Sequence, residues 1–152
     1  MSNVVRTEVA DIFNGRDRAY IYIWLSKLAG AVYVGQTAGP NGTLGRGYAH
    51  FRSRGQLRRQ MDKKLGVEPE DFNDFLITSY LLPVKEEFIG PESSYREAVE
   101  YLVQRTLQLR RGQVRPGFRI ISWVRDNDRT RDLSVQLLAQ QITEDFLLHY
   151  SL

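Results

Sequence analysis

Cysteine is absent from the 152 residues of this chain. Its absence excludes disulfides and thiolate metal centres, and it accords with a reducing cytoplasm. Lysine is scarce: Lys27, Lys63, Lys64 and Lys85 are the only ones among 21 basic residues. No apolar run approaches the roughly 20 residues that a membrane-spanning helix needs, and Met1 to Ala10 lacks the apolar core of a signal peptide. No membrane partner and a cytoplasmic location are therefore the simplest expectations. Repeats and low-complexity tracts are missing too. What remains, 42% hydrophobic and 26% charged, is the composition of one soluble domain, 1–152, with a sizeable core.

The basic residues are mostly arginine, and the net charge is +3 with a pI near 9.3. Arginine's planar fork suits phosphate recognition. A solvated arginine-rich surface explains the same composition, since +3 is a modest charge.

Along the chain, residues 1 to 18 read as a lead-in with a short helix around Val4 to Phe13. Tyr20 to Leu25 and Ala31 to Gly35 are rich in aromatic and β-branched residues. Separated by Ser26, Lys27 and Gly30, they predict a β-hairpin. Period-2 alternation puts Tyr20, Tyr22 and Trp24 on one face, where Tyr33 of the second strand can join them. Ala38 to Gly42 is a loop, followed by helices from Thr43 or Leu44 through Phe51 and from Gln56 to Leu65. Phe75 to Leu82 reads as a third strand and Phe118 to Val124 as a fourth, with a helix between Gly90-Pro91 and Gly112. A last helix, about Asp132 to Tyr150, carries Leu133, Leu137, Leu138, Ile142 and Phe146 as an apolar stripe, suited to core or to a homodimer seam.

Tyr20-Ile21-Tyr22, then Tyr33-Val34-Gly35, then Arg46 and His50 spaced Arg-x-x-x-His on a helix, together resemble the GIY-YIG nuclease family. The first strand of that family carries Gly-Ile-Tyr and the second Tyr-Ile-Gly or Tyr-Val-Gly. The resemblance covers about a third of the chain, and a later helix adds a glutamate. It implies an α+β fold with a small central antiparallel sheet flanked by helices over a core of about 18–124, here extended by a C-terminal strand and a helix at about 132–150. It also implies a divalent-metal-dependent endonuclease that hydrolyses phosphodiester bonds in DNA. Two features depart from the pattern. Tyr20 stands where the motif has glycine, placing a large side chain on the Tyr22 face. The family's asparagine after the glutamate helix has no clear counterpart, the first candidate being Asn127.

Two carboxylates compete for the glutamate position. Ser94-Tyr95-Arg96-Glu97 has the form of a capping box, which gives Glu97 a structural explanation. Glu100 falls at the edge of the apolar stripe of Val99, Leu102 and Val103, and Glu100-Tyr101-Leu102-Val103 is similar to the family's metal-binding glutamate. A surface pairing of Glu100 with Arg96 or Arg105 is the alternative.

Phosphodiester hydrolysis requires an activated water, neutralised phosphate oxygens and a stabilised leaving group. One Mg²⁺ or Mn²⁺ can be held by a single carboxylate, here Glu100, because Mg²⁺ keeps much of its hydration. Arg46 supplies charge to the phosphate. The resemblance implies that Tyr22 orients and deprotonates the water, a role that needs a phenol pKa below the usual 10. Tyr33 would support it through a hydrogen bond, and His50 would accept a hydrogen bond from Tyr22 or contact phosphate. A histidine satisfied by a neighbouring carbonyl and a packing tyrosine are the plain alternatives. Gly35 reads as a turn glycine or a point of close approach to substrate. Arg52, Arg54, Arg58 and Arg59 could track a nucleic-acid backbone without reading sequence. From another functional class, a catalytically silent nucleic-acid-binding module would share every one of these scaffold features.

Overall fold

The computed structural model describes residues 5–6, 17–52, 54–114 and 116–150. Its strands are β1 (Val5–Arg6), β2 (Tyr20–Ser26), β3 (Ala31–Thr37), β4 (Leu76–Leu81) and β5 (Arg119–Ile120). Its helices are α1 (Gly42–Phe51), α2 (Gln56–Leu65), α3 (Glu86–Ile89), α4 (Ser94–Arg110) and α5 (Leu133–Tyr150). The architecture is α+β, a small sheet flanked by helices, as the sequence implies. The strand order is β1-β4-β2-β3-β5, so the β2–β3 hairpin lies at the centre.

Alternation along the hairpin divides the sheet into two chemically different faces. Ile21, Ile23, Leu25, Val32 and Val34 point to one face and pack with Val99, Val103 and Leu107 of α4 and Ile142 and Phe146 of α5. Full burial of such a side chain contributes about 1.5–3 kcal/mol, so this face carries most of the hydrophobic stabilisation. Tyr22, Ala31 and Tyr33 point to the other face and meet Leu57 and Met61 of α2 together with Ile121.

The structure corrects the sequence reading at five points. The expected lead-in helix at Val4 to Phe13 lies outside the described residues except at Val5 and Arg6, which form β1 and pair with Leu81 and Tyr80 of β4. The sheet is not wholly antiparallel, because β5 runs parallel to β3. The expected strand Phe118 to Val124 shortens to Arg119–Ile120. Beyond it the Ile121 N–H still donates to the Val32 carbonyl at 2.9 Å, and Ser122 Oγ then accepts the Val34 N–H at 2.9 Å. A side-chain hydroxyl standing in for a backbone carbonyl ends the ladder there.

The fourth correction concerns the C-terminal helix, whose buried face is Val135, Ala139, Ile142, Thr143, Phe146, Leu147 and Tyr150. Leu133 and Leu137 of the expected stripe are 68% and 48% exposed. Counting leucines at helical spacing could not show which side of the helix meets α4. The fifth is the capping box. Ser93, not Ser94, precedes the first turn of α4, and it donates its hydroxyl to Glu97 Oε1 at 2.7 Å without capping a backbone amide.

Candidate active site

Tyr22 and Tyr33 reach the same side of the hairpin by register. Tyr22 lies opposite Gly35 and Trp24 opposite Tyr33, which makes the two tyrosines diagonal neighbours on one face. Gly35 is not a turn residue. It sits within β3 beneath the Tyr22 ring, and a Cβ there would fall 2.6 Å from Tyr22 Cε2. The missing side chain is what lets the phenol lie down across the neighbouring strand. Tyr20, the residue in the motif-glycine position, is buried at the end of the same row, opposite Thr37 and Leu81. Tyr22 keeps its place over Gly35 regardless.

Helix α1 delivers the next two groups. Thr43 Oγ1 and Ser79 Oγ form a buried hydrogen bond of 2.7 Å that fixes its first turn to β4. One turn apart on α1, Arg46 is exposed while His50 is 1% exposed. Gly55 allows α2 to start hard against the end of α1, since a Cβ there would run into the His50 carbonyl. That tight turn brings the Leu57 N–H to His50 Nδ1 at 3.3 Å.

This contact settles how the imidazole is used. With Nδ1 accepting, the neutral ring carries its proton on Nε2, and Nε2–H donates to the Tyr22 oxygen at 2.7 Å. His50 is thus a donor to Tyr22, the reverse of the expected direction. No backbone carbonyl takes its ring proton. Burial and the neighbouring Arg46 push its pKa down to about 4, which keeps the ring neutral at physiological pH. The ring also packs edge-on against both tyrosines, at 5.6 Å from Tyr22 and 4.8 Å from Tyr33 between centroids.

Glu100 completes the cluster from α4. It is partly buried, and among the described residues its carboxylate takes a hydrogen bond from Gln104 Nε2 at 3.3 Å. Neither arginine considered for it takes it. Arg96 donates to Gln36 and to the carbonyls of Phe88, Gly90 and Glu92, whereas Arg105 lies 3.5 Å from the Tyr101 hydroxyl. Burial, and then the charge of Glu97, raise the Glu100 carboxyl to about 8, with Arg46 opposing. Glu100 and Arg46 act on both phenols, and Arg59 acts on Tyr33.

The phenols themselves depart from expectation. Burial raises Tyr22 above its ordinary value, and Tyr33 adds to the rise rather than relieving it. The opposing, lowering influence is the positive charge of nearby Arg46. Tyr33 is pushed up to about 12, mainly by burial and then by Glu100. As folded, both hydroxyls keep their protons at pH 7.

Tyr22, Tyr33, Arg46, His50 and Glu100 therefore converge from β2, β3, α1 and α4. Beside them, Arg46 lines an open cleft of about 510 Å³ together with Gln36, Gly39, Gly90 and Arg96. The described residues contain no group of three or more His, Cys, Asp or Glu side chains suited to a metal. A cation here would rest on Glu100 with waters and substrate oxygens, which the hydration habits of Mg²⁺ permit. A desolvated carboxyl raised to about 8 fits that use, because a bound cation would stabilise the carboxylate charge that burial disfavours.

The other singled-out residues lie apart from this cluster or are engaged. Arg52 and Arg54 are exposed at the end of α1. Arg58 makes a bidentate pair with Glu70, one arm at 2.7 Å, and Arg59 donates to Gln56. Asn127 Nδ2 donates to the Ser94 carbonyl at 2.9 Å while its Oδ1 accepts from Arg129 N, so it clasps the start of α4. Gln104 was not singled out from sequence, although its position four residues beyond Glu100 carried the signal. Thr43 with Ser79, and the role of Gly35, depend on strand and helix placement and had none.

No family model matches this chain, and no curated protein or solved structure matches it. No described helix is long and apolar enough to cross a membrane.

Proposed function

We propose that this chain is a divalent-metal-dependent endonuclease that hydrolyses phosphodiester bonds in DNA in a reducing, cytoplasmic setting. The observation that carries the reading is the shared environment of the Tyr22 oxygen. His50 Nε2–H donates to it at 2.7 Å, and the charges of Arg46 and of the Glu100 carboxyl act on it through space. This environment supports reading the Ile-Tyr of β2, the Tyr-Val-Gly of β3, the Arg-x-x-x-His of α1 and Glu100 as parts of one site.

Each side chain has a chemical task in this reading. Arg46, exposed at the mouth of its cleft, neutralises phosphate oxygens and narrows the approach of the strand. Glu100 would hold Mg²⁺ or Mn²⁺, which when bound supplies positive charge to the phosphate and the leaving oxygen. His50 aims the Tyr22 hydroxyl by donating to it, so the phenol's own proton is directed elsewhere, and it stabilises the oxygen once that proton is lost. Tyr22 orients the attacking water and accepts a proton in its phenolate form. Because burial keeps the phenol protonated at pH 7, turnover should rise with pH through the neutral and alkaline range. Tyr33 packs beside His50 and holds the ring upright.

Supercoiled plasmid incubated with the protein and Mg²⁺ or Mn²⁺ should be nicked or linearised, with EDTA abolishing the reaction. Glu100→Gln should remove cleavage while the far-UV spectrum stays unchanged. Binding of DNA without any metal-dependent cleavage would replace this reading by that of a silent binding module.

A further inference from the structure

The surface beyond Glu100 carries an aromatic side chain and several cations that the proposed chemistry does not use. Gln104, the hydrogen-bond partner of Glu100, also lines a separate cleft of about 210 Å³ with Lys64, Tyr101, Arg105, Gln108 and Trp123. Trp123 is 69% exposed, and the Arg125 guanidinium lies 5.5 Å from its ring centroid. Arg125 covers one side of the ring, and an indole this exposed still offers the other as a stacking surface.

The electrostatics of the cleft favour an anion. Among the described residues, none that lines it is acidic. Arg119 donates to the Lys64 carbonyl at 3.0 Å, bringing a second cation to the rim. Burial, and then the like charges of Lys63 and Arg119, hold the Lys64 ammonium below its ordinary range. Cations crowded in this way are relieved by a phosphate, and among the described residues no ion pair of Lys64 or Arg105 would have to break for it.

We infer that this cleft is a subsite for one unpaired nucleobase of the bound DNA strand, stacked on Trp123, with its neighbouring phosphate on Lys64 and Arg105. The amides of Gln104 and Gln108 face the same cleft and can meet the polar edge of a base. An unpaired base is specified because bases inside a duplex have both faces covered by their neighbours, whereas an extruded or single-stranded base has a face to offer. Since Gln104 also touches Glu100, the subsite adjoins the candidate cleavage centre. The inference rests on the nuclease reading for its substrate but on different residues for its evidence.

The test is anisotropy with fluorescein-labelled oligo(dT) of about eight nucleotides, and with a blunt duplex of the same length, both in EDTA so that nothing is cut. Wild-type protein should bind the single strand with quenching of tryptophan fluorescence. Trp123→Ala should weaken that binding about tenfold, abolish the quenching and leave duplex affinity nearly unchanged, as loss of one base–aromatic stack predicts. Trp123→Phe should restore most of the affinity, which a loss of folding would not allow. Equal oligo(dT) affinity for Trp123→Ala and wild type would overturn the subsite while plasmid cleavage, if present, leaves the nuclease reading standing. Failure of the wild-type protein to bind oligo(dT) would likewise overturn the subsite, and the nuclease reading falls only if metal-dependent plasmid cleavage is also absent.

Discussion

The two faces of the central sheet are made by alternate residues of the same strands, yet they solve opposite problems. Toward α4 and α5, Ile21, Ile23, Val32 and Val34 meet other hydrocarbon side chains, and burial there is favourable without conditions. Toward α1 and α2, Tyr22, Tyr33 and His50 are buried as well, but each carries a polar atom whose partner must be supplied. Leu57 N–H and Tyr22 satisfy His50, and the Thr43–Ser79 pair satisfies itself. The apolar face holds the fold together. The polar face retains groups whose protonation burial has displaced, as functional sites commonly do.

Several substitutions can break or sharpen this contrast. The largest effect expected on activity is from Glu100→Gln, which should abolish divalent-ion-dependent plasmid cleavage, whereas Glu97→Gln should retain most of it. Equal loss in the two variants would refute the choice between these carboxylates. Tyr22→Phe should lower single-turnover cleavage on the order of 10²-fold or more with DNA affinity nearly constant. It should also flatten the rise of rate with pH. A near wild-type rate and an unchanged pH profile would remove Tyr22 as the group that handles the water's proton.

On the apolar face, Leu107→Ala should cost about 2–5 kcal/mol of unfolding free energy by urea denaturation. Its cleavage rate per folded molecule should stay close to wild type. A rate loss as large as that of Tyr22→Phe would show that the two faces are not separable.

Unlike the apolar face, the site carries two groups that should shift stability with pH in opposite senses. Because the folded pKa of His50 is lowered to about 4, the unfolded chain binds its proton first. The contribution of His50 to stability is therefore complete above about 6.5 and lost as pH falls from there toward 4. The loss is up to about 3 kcal/mol, and His50→Gln should flatten that limb of a melting-temperature profile. Glu100 acts in the opposite sense. Its pKa is raised to about 8, so stability falls as pH rises from the ordinary carboxyl range toward 8. Glu100→Gln should accordingly melt higher than wild type at pH 8 and match it near pH 4.

The smallest effects belong to the basic cluster. Arg59→Ala should reduce the salt dependence of DNA binding by about one unit of slope. Arg58→Ala should change it less, because Arg58 is already paired with Glu70. Equal effects would mean that the ion pair opens when DNA binds.

Much of this organisation was legible in the chain. Alternation in Tyr20 to Leu25 and Ala31 to Gly35 gave the hairpin and put Tyr22 with Tyr33, because the period of a strand is a local property. Arg46 and His50 shared a helix for the same reason. The wheel position of Glu100 separated it from Glu97, although the capping box invoked for Glu97 did not form.

What local pattern could not carry was anything that depends on which surface meets which. Gly35, readable as a turn glycine or a point of close approach to substrate, proved to lie within a strand with Tyr22 packed across it. The direction of the Tyr22–His50 hydrogen bond followed from the Leu57 amide, seven residues beyond His50, being turned onto Nδ1 by the tight approach at Gly55. Of the stripe read along the last helix, Leu138, Ile142 and Phe146 do face the core while Leu133 and Leu137 turn outward, because several faces of an apolar helix are chemically adequate and only α4 selects one. The displaced pKa values were equally illegible, since they arise from desolvation, and desolvation is a property of the neighbours that tertiary packing brings. The sequence by itself determined the elements, the residue types and their local spacing. Tertiary structure alone decided which of those residues lost water together, and that shared loss is what turns five ordinary side chains into a candidate site.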